Sequence, residues 1–536
     1  MEQQDLNKRL LLALALSFFV FIGYSYLFPP VKPTEATGTT ATATQQTPKP
    51  DTASPSNIAT PNASREASTP APVQQTLSDA LVTVKADDYL MTIDAFGRIA
   101  QMELLQAKYH DDQGENIKML DVTQVKPLEV RFSDVKLNEE AFKTPYTYEG
   151  SPSVDLGSDS QTITLIQKLS SVTLTKKITF KPTGEYSVNI TTSAPSLYFI
   201  TPGHRPVADD SMYMLVRGAL IKGSDGIINT IEDGDAEGYE KFSNAKIASS
   251  FDRYVASMFF DFDKGLNVSI LKEANGDPLI FVQGTDNLTL NAYIGPKEEK
   301  TLRAINPELT DAIEFGWFTF LATPFFKVLL WINDYVHNWG WAIIFFTILV
   351  KIVLFPLSYK GMMSMQKLKD LAPKMKEIKE KYKGDPAKMN AQMMEMYKKH
   401  GANPMGGCLP LLLQIPVFFA LYRVLLNAVE LQGASWILWI EDLAVMDPYF
   451  VLPILMGASM WFQQRITPSN FTDPLQEKIF KWFPVIMTVF FIYFPSGLVL
   501  YWLVNNLFTI AQQYFINHMY EKQKNAAIAA HKKTKD

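Results

Sequence analysis

Residues 339–357 read WGWAIIFFTILVKIVLFPL, nineteen positions carrying a single charge, Lys351. At 1.5 Å per residue such a helix nearly covers a hydrocarbon core about 30 Å thick, so the stretch predicts a transmembrane span. Four more follow it. Residues 408–429 are apolar except for Arg423, and 449–462, 482–494 and 497–516 complete the set. The spans at 449–462 and 482–494 are short, which predicts extension into polar flanks or local thinning of the bilayer. Near the start, residues 10–28 are uncharged and preceded by Lys8 and Arg9. That run exceeds the apolar core of about 7–15 residues in a cleaved signal peptide, and it predicts an uncleaved anchor over 1–28.

Loop charge sets the orientation. Residues 358–403 hold eleven lysines against five acids, and Lys522, Lys524, Lys532, Lys533 and Lys535 follow the last span. Residues 430–448 hold Glu430, Glu441, Asp442 and Asp447 and no base. Basic loops stay in the cytoplasm, so six spans with both termini inside satisfy every loop.

Between the first two spans lie two segments of different character. Residues 29–80, rich in Pro, Thr, Ala, Ser and Gln, offer too little apolar surface to offset their ordering entropy and read as a disordered linker. Over 81–305 the period switches to two, as in QTITLIQKLSSVTLTKKITF and EYSVNITTSA, with turn signals at Phe96-Gly97, Pro182-Thr183-Gly184 and Asn275-Gly276-Asp277. No helical crossover separates these runs, which predicts a large antiparallel β-sandwich domain outside the cytoplasm. Residues 306–333 mix Phe315, Trp317, Phe318, Phe320, Phe325 and Phe326 with Glu308, Asp311, Glu314 and Lys327, and predict a helix lying in the bilayer interface. The fold class expected is an α-helical polytopic membrane protein with an outer β-sandwich.

Composition narrows the chemistry. The 536 residues carry 50 basic and 55 acidic side chains, a net of −5 that argues against a general nucleic-acid binder, so DNA is not an expected partner. One cysteine, Cys408, excludes an internal disulfide framework and any Cys-rich metal cluster. The six histidines show no metal-ligand spacing, and no metal or cofactor is expected. His110 and His204, beside Asp111, Asp112, Asp209 and Asp210, are expected on a solvated acidic face, and the cluster Glu232-Asp233-Gly234-Asp235-Ala236-Glu237 lacks the spaced ligands of a calcium loop.

Two constellations stand out. Residues 358–403 form a helical hairpin with Lys383-Gly384-Asp385-Pro386 at its turn, and Pro373 is expected to kink or divide the first helix. Its methionines, Met362, Met365, Met375, Met389, Met393 and Met396 among them, suit transient contact with varied apolar segments, or else zip the hairpin itself. Its lysines are suited equally to ribosomal RNA and to anionic lipid headgroups. The second constellation is Lys351. A lysine at mid-bilayer costs roughly 2.5–3.5 kcal/mol on insertion scales, and no carboxylate of the spans stands ready to pair with it. It therefore predicts a hydrated groove open to the cytoplasm, which Thr347, Gln414, Ser459, Gln463, Tyr501, Asn505, Thr509 and Gln512 are expected to line. Asn505, Thr509 and Gln512 are spaced four then three, one helix face.

The stretches FTILVKIVLFPLSYKGMMSMQKLKDLAPKMKEIKEKYKGD, NPMGGCLPLLLQIPVFFALYRVL and FPSGLVLYWLVNNLFTIAQQ resemble the YidC/Oxa/Alb family of membrane protein insertases. With the anchor and the β domain, the resemblance extends over essentially the whole chain. It implies an insertase and chaperone of the bacterial inner membrane, with a five-helix core over 334–520 whose groove opens to cytoplasm and lipid. It also implies a periplasmic, mutarotase-like sandwich tied to the Sec translocon and its ancillary subunits. The hairpin and the tail at 521–536 would meet the ribosome and targeting factors, and nascent membrane proteins would be the substrates. The family's groove cation falls on Lys351, where many members carry arginine, and the usual tyrosine is replaced by Trp502. No covalent chemistry is implied, so the chain is not expected to be an enzyme. The competing expectations are a membrane-tethered carbohydrate-binding or mutarotase-like protein, and a small-molecule transporter.

Overall fold

The computed structural model describes residues 80–110, 114–207, 216–400, 409–467 and 474–533. The anchor expected at 1–28 and the linker expected at 29–80, save residue 80, lie outside the described residues. So do Asp111, Asp112, Asp209 and Asp210. Within the hairpin, residues 370–400 form a compact unit of their own.

The β region is built from β1 (Ala80–Lys85), β2 (Tyr89–Asp94), β3 (Ile99–Leu104), β4 (Val130–Phe132), β5 (Ser153–Asp155) and β6 (Gln161–Lys168). There follow β7 (Thr173–Phe180), β8 (Glu185–Thr192), β9 (Leu197–Ile200), β10 (Gly218–Lys222), β11 (Ile228–Glu232) and β12 (Tyr239–Ala245). The last are β13 (Ile247–Phe251), β14 (Val255–Phe260), β15 (Leu266–Lys272), β16 (Pro278–Thr285) and β17 (Asn287–Pro296). They form an eight-stranded sheet ordered β11-β10-β13-β14-β17-β8-β7-β6, a five-stranded sheet β12-β15-β16-β9-β4 and a four-stranded sheet β3-β2-β1-β5. Pairing is antiparallel throughout except between β1 and β5, which run parallel.

Burial follows the period-two pattern where only one face is covered: alternate residues of β7 and β8 are buried. Strands β10, β13 and β14 are buried along their whole length. The cause is packing, since β10 and β13 meet β16 of the five-stranded sheet. Fully buried Ile221, Phe259, Ile270 and Ile280 belong to the resulting core. One helix that the pattern did not announce, α1 (Val135–Ala141), is capped by the Asp134 side chain accepting from the Leu137 N–H.

The chain then turns helical: α2 (Glu299–Ile305), α3 (Thr319–Val336), α4 (Trp339–Val353), α5 (Phe355–Lys381), α6 (Pro386–Lys399), α7 (Leu409–Asn427), α8 (Val451–Ile466), α9 (Pro474–Phe491) and α10 (Ser496–Lys533). Two short 3₁₀ turns, Pro307–Ala312 and Gly316–Phe318, precede α3, so the single helix expected over 306–333 is divided. The apolar run at 339–357 also breaks, and α4 and α5 meet at a bend of 64°. Pro356, the second residue of α5, explains this: it lacks the N–H that would bond the Ile352 carbonyl, and its ring clashes with that carbonyl, so one helix cannot run straight through. Pro373, by contrast, lies inside a continuous α5. Helix α9 starts eight residues before the apolar run at 482–494, an extension into polar flanks, and α10 continues far past residue 516. Among the described residues no single helix is both long and apolar enough to cross a membrane, and only the bent pair α4–α5 meets that test together.

Candidate functional site

Helix α10 packs along α8, α4 and α7, and α3 packs on α4 and α7. This brings polar side chains of three helices into one seam. The Lys351 ammonium on α4 donates to Thr509 Oγ1 on α10 at 2.8 Å, and the Thr509 hydroxyl donates to the Asn505 carbonyl at 2.7 Å. Gln414 Nε2 on α7 donates to Asn505 Oδ1 at 2.7 Å. Lys351 is 9% exposed and Asn505 6%, so the seam lies inside the helices. An ammonium has three donors, and Thr509 takes one of them.

The other expected residues fall around this seam in different ways. Thr347 is buried one turn before Lys351, and its hydroxyl donates to the Ile343 carbonyl of its own helix at 2.7 Å. Gln512 is buried with Oε1 lacking a hydrogen bond. Tyr501 is buried. Trp502 packs edge-on to Phe418 with ring centroids 4.7 Å apart, and its Nε1 makes no hydrogen bond. Ser459 is not brought to Lys351: it accepts from Asn506 Nδ2 at 3.2 Å, on a neighbouring face of α10. Gln463 is half-buried near the end of α8, where its carbonyl accepts from Thr467. Sequence reasoning missed Asn506 and a second polar junction, where Gln513 and Gln366 both donate to Asn517 Oδ1. The signal was present in the i, i+4 pair Gln513 and Asn517, which straddles the end of the apolar run.

Outside this polar interior the helices are greasy. Phe345, Leu349 and Ile352 on α4, Ile454, Trp461 and Phe462 on α8, and Trp482, Ile486 and Val489 on α9 are all exposed. Polar groups inside and contiguous apolar groups outside invert the order a water-facing protein adopts, and match burial of these faces in hydrocarbon.

The loop over residues 430–448 couples the helices to the β region. Asp447 is fully buried and accepts from Trp439 Nε1 at 2.9 Å, Tyr449 N at 3.0 Å and Leu452 N at 2.7 Å, fixing the start of α8. Glu430 accepts from the Glu299 N–H at 2.9 Å, and burial pushes its carboxyl up to about 7. Arg253 at the β13–β14 turn donates to the Leu426 carbonyl at 2.6 Å. Two of the four acids that marked this loop as external are thus structural.

Within the hairpin, Asp385 caps α6 by accepting from the Lys388 N–H at 3.1 Å, and Tyr397 donates to Met375 Sδ at 3.6 Å. Met396 is buried and Met362, Met365, Met375, Met389 and Met393 are half-buried, while Met394 is 52% exposed.

Comparison with known proteins adds a second line. Residues 331–524 match the family described as 60Kd inner membrane protein, and residues 267–328 match the YidC periplasmic domain. Over 532 residues the chain is 50% identical to the membrane protein insertase YidC of Wolinella succinogenes, covering 98% of both chains. The corresponding proteins of Campylobacter jejuni and Helicobacter pylori are 48% and 46% identical, again over 98% of each chain.

Proposed function

The chain belongs to the YidC family of membrane protein insertases and is an inner-membrane protein with a periplasmic domain, and from that premise we propose how its own residues move a substrate. The observation that carries the proposal is the seam of Lys351, Thr509, Asn505 and Gln414, polar and cationic within helices whose outer faces are apolar. The seam borders a hydrated groove open to the cytoplasm and to lipid. A nascent apolar segment enters it, and the acidic residues of its translocated tail are drawn to the Lys351 ammonium. A carboxylate crossing bare hydrocarbon costs several kcal/mol, and a fixed cation with neighbouring amides substitutes for part of its water. The segment then passes the exposed aromatic and aliphatic faces of α4, α8 and α9 into lipid.

In this reading the chain has six spans with both termini in the cytoplasm, α3 lies at the outer interface, and the two stacked sheets form a periplasmic sandwich that meets the Sec translocon. The hairpin and basic tail receive the segment from the ribosome and targeting factors, Met394 being the thioether most open to it. The bend at Leu354 supports the placement, because it turns the chain out of the span one helical turn after Lys351.

Photo-crosslinking tests this. A photoreactive residue at Gln414 or Thr509 is expected to join a ribosome-stalled nascent membrane segment, while the same residue at Tyr493, exposed in the turn just after α9, is not. Equal adducts at both places, or none at the seam, would contradict a groove.

A further inference from the structure

Away from the helices, the β region holds a cluster that the insertion mechanism does not use. His204 follows β9, while Glu273 and Asp277 stand at either end of the β15–β16 turn. Strands β9 and β16 are antiparallel with Ile200 opposite Val282, so continuing the register carries His204 to the Pro278 end of β16, beside that turn. His204 is therefore not on a solvated face: it is 5% exposed. Its Nε2 lies 3.4 Å from a Glu273 carboxylate oxygen and 3.5 Å from Asp277 Oδ2, and the three ligand atoms fall within 4.8 Å of one another.

The other ring nitrogen decides what Nε2 is doing there. Nδ1 faces the Arg205 carbonyl at 3.3 Å, an acceptor only, so Nδ1 carries the proton in the neutral ring. Nε2 then presents a lone pair to two carboxylates, and it makes no hydrogen bond. In that state three acceptors converge on one point and repel one another unless a cation lies between them; the alternative is a protonated ring whose Nε2–H donates to the carboxylates. We propose that His204, Glu273 and Asp277 bind a divalent transition-metal ion of the zinc type.

Geometry and donor set agree. Zinc holds imidazole nitrogen and carboxylate oxygen at about 2.0–2.2 Å, so tetrahedral ligands stand roughly 3.4 Å apart, matching both nitrogen–oxygen separations. A histidine ligand that donates its second ring nitrogen to a backbone carbonyl is the usual outer-shell arrangement for such ions. With one nitrogen and two oxygens and no thiolate, the set suits zinc or cobalt(II) rather than copper(I).

The ligands are also held before any ion arrives. Ser257 donates to the Pro202 carbonyl at 2.6 Å, Ser250 to the Gly203 carbonyl at 2.9 Å, and the His204 N–H to Val125 at 2.9 Å. The turn is closed by Glu273 N–H to the Asp277 carbonyl at 2.9 Å, and Asn275 donates to Asp277 Oδ2 at 2.6 Å. Gly276 has φ +92, and a Cβ there would stand 2.9 Å from the Gly234 carbonyl, so the turn seats directly on that loop.

Cobalt(II) reports the site directly. The full chain in detergent with Cys408→Ser, stripped with EDTA and titrated with cobalt(II), is expected to bind about one equivalent with the visible absorption of a four-coordinate ion, displaced by zinc. His204→Ala and the nearly isosteric Asp277→Asn are each expected to weaken binding at least about tenfold. Should His204→Ala fail to fold, Asp277→Asn decides. The proposal is overturned if the unsubstituted cluster gives no such absorption, which is the result a protonated His204 paired with its carboxylates would produce, or if Asp277→Asn binds as tightly.

Discussion

Lys351→Glu is expected to slow insertion of a substrate with an acidic translocated tail by about 30-fold in reconstituted vesicles, an increase in barrier of roughly 2 kcal/mol. The substitution replaces an attraction by a repulsion at the point where the seam meets the incoming carboxylates. It also places a carboxylate against the Thr509 hydroxyl, which can donate to it, so the helices keep their packing and the effect is electrostatic. A substrate with a neutral tail is expected to lose far less, because only its apolar segment uses the greasy faces. Lys351→Arg keeps the charge and is expected to retain most activity, its planar fork reaching both Thr509 and a carboxylate. Equal slowing of acidic and neutral tails would show that Lys351 holds the helices rather than guiding charge.

The second large effect concerns stability. Asp447→Ala removes the acceptor of three donors, the buried Leu452 N and the part-buried Trp439 Nε1 and Tyr449 N, at a position with no exposure. An unsatisfied buried donor costs about 1–3 kcal/mol, so the loss is expected to reach roughly 3 kcal/mol or more. The backbone adds to this. Phe450 at the start of α8 has φ +57, a left-handed conformation that a bulky residue adopts only when held. Thermal unfolding of the detergent-solubilised chain should show a clear fall in Tm for Asp447→Ala and a smaller one for Asp447→Asn, which retains one acceptor oxygen. A Tm unchanged by the alanine would mean that the carboxylate serves only as a surface charge.

Much of this arrangement was legible in the residues. Apolar length and lysine-rich loops located the helical half, and period two located the sheets. Lys351 marked the seam because a charge inside an apolar run has few explanations. Asn505 and Thr509 were found by helical spacing alone. The break at Leu354 was written in Pro356, yet an apolar run hides it, since hydropathy counts side chains and ignores a missing N–H. Ser459 went to Asn506 because the rotation of α8 about its axis is set by packing, not by its own period. The acids of residues 430–448 were read as topology signals, while Asp447 is a buried acceptor and Glu430 a half-buried one; charge counting cannot distinguish the two uses. His204 carried no local signal, because strand register alone brings it to Glu273 and Asp277, some seventy positions away.

The central claim is that water reaches the seam. A single cysteine at position 351, in a chain carrying Cys408→Ser and embedded in inverted membrane vesicles, measures this directly. The account predicts rapid labelling by a charged, membrane-impermeant maleimide from the cytoplasmic side, slowed when a nascent segment is stalled in the protein. Labelling only by an apolar, membrane-permeant reagent would contradict it, since position 351 would then face acyl chains rather than water.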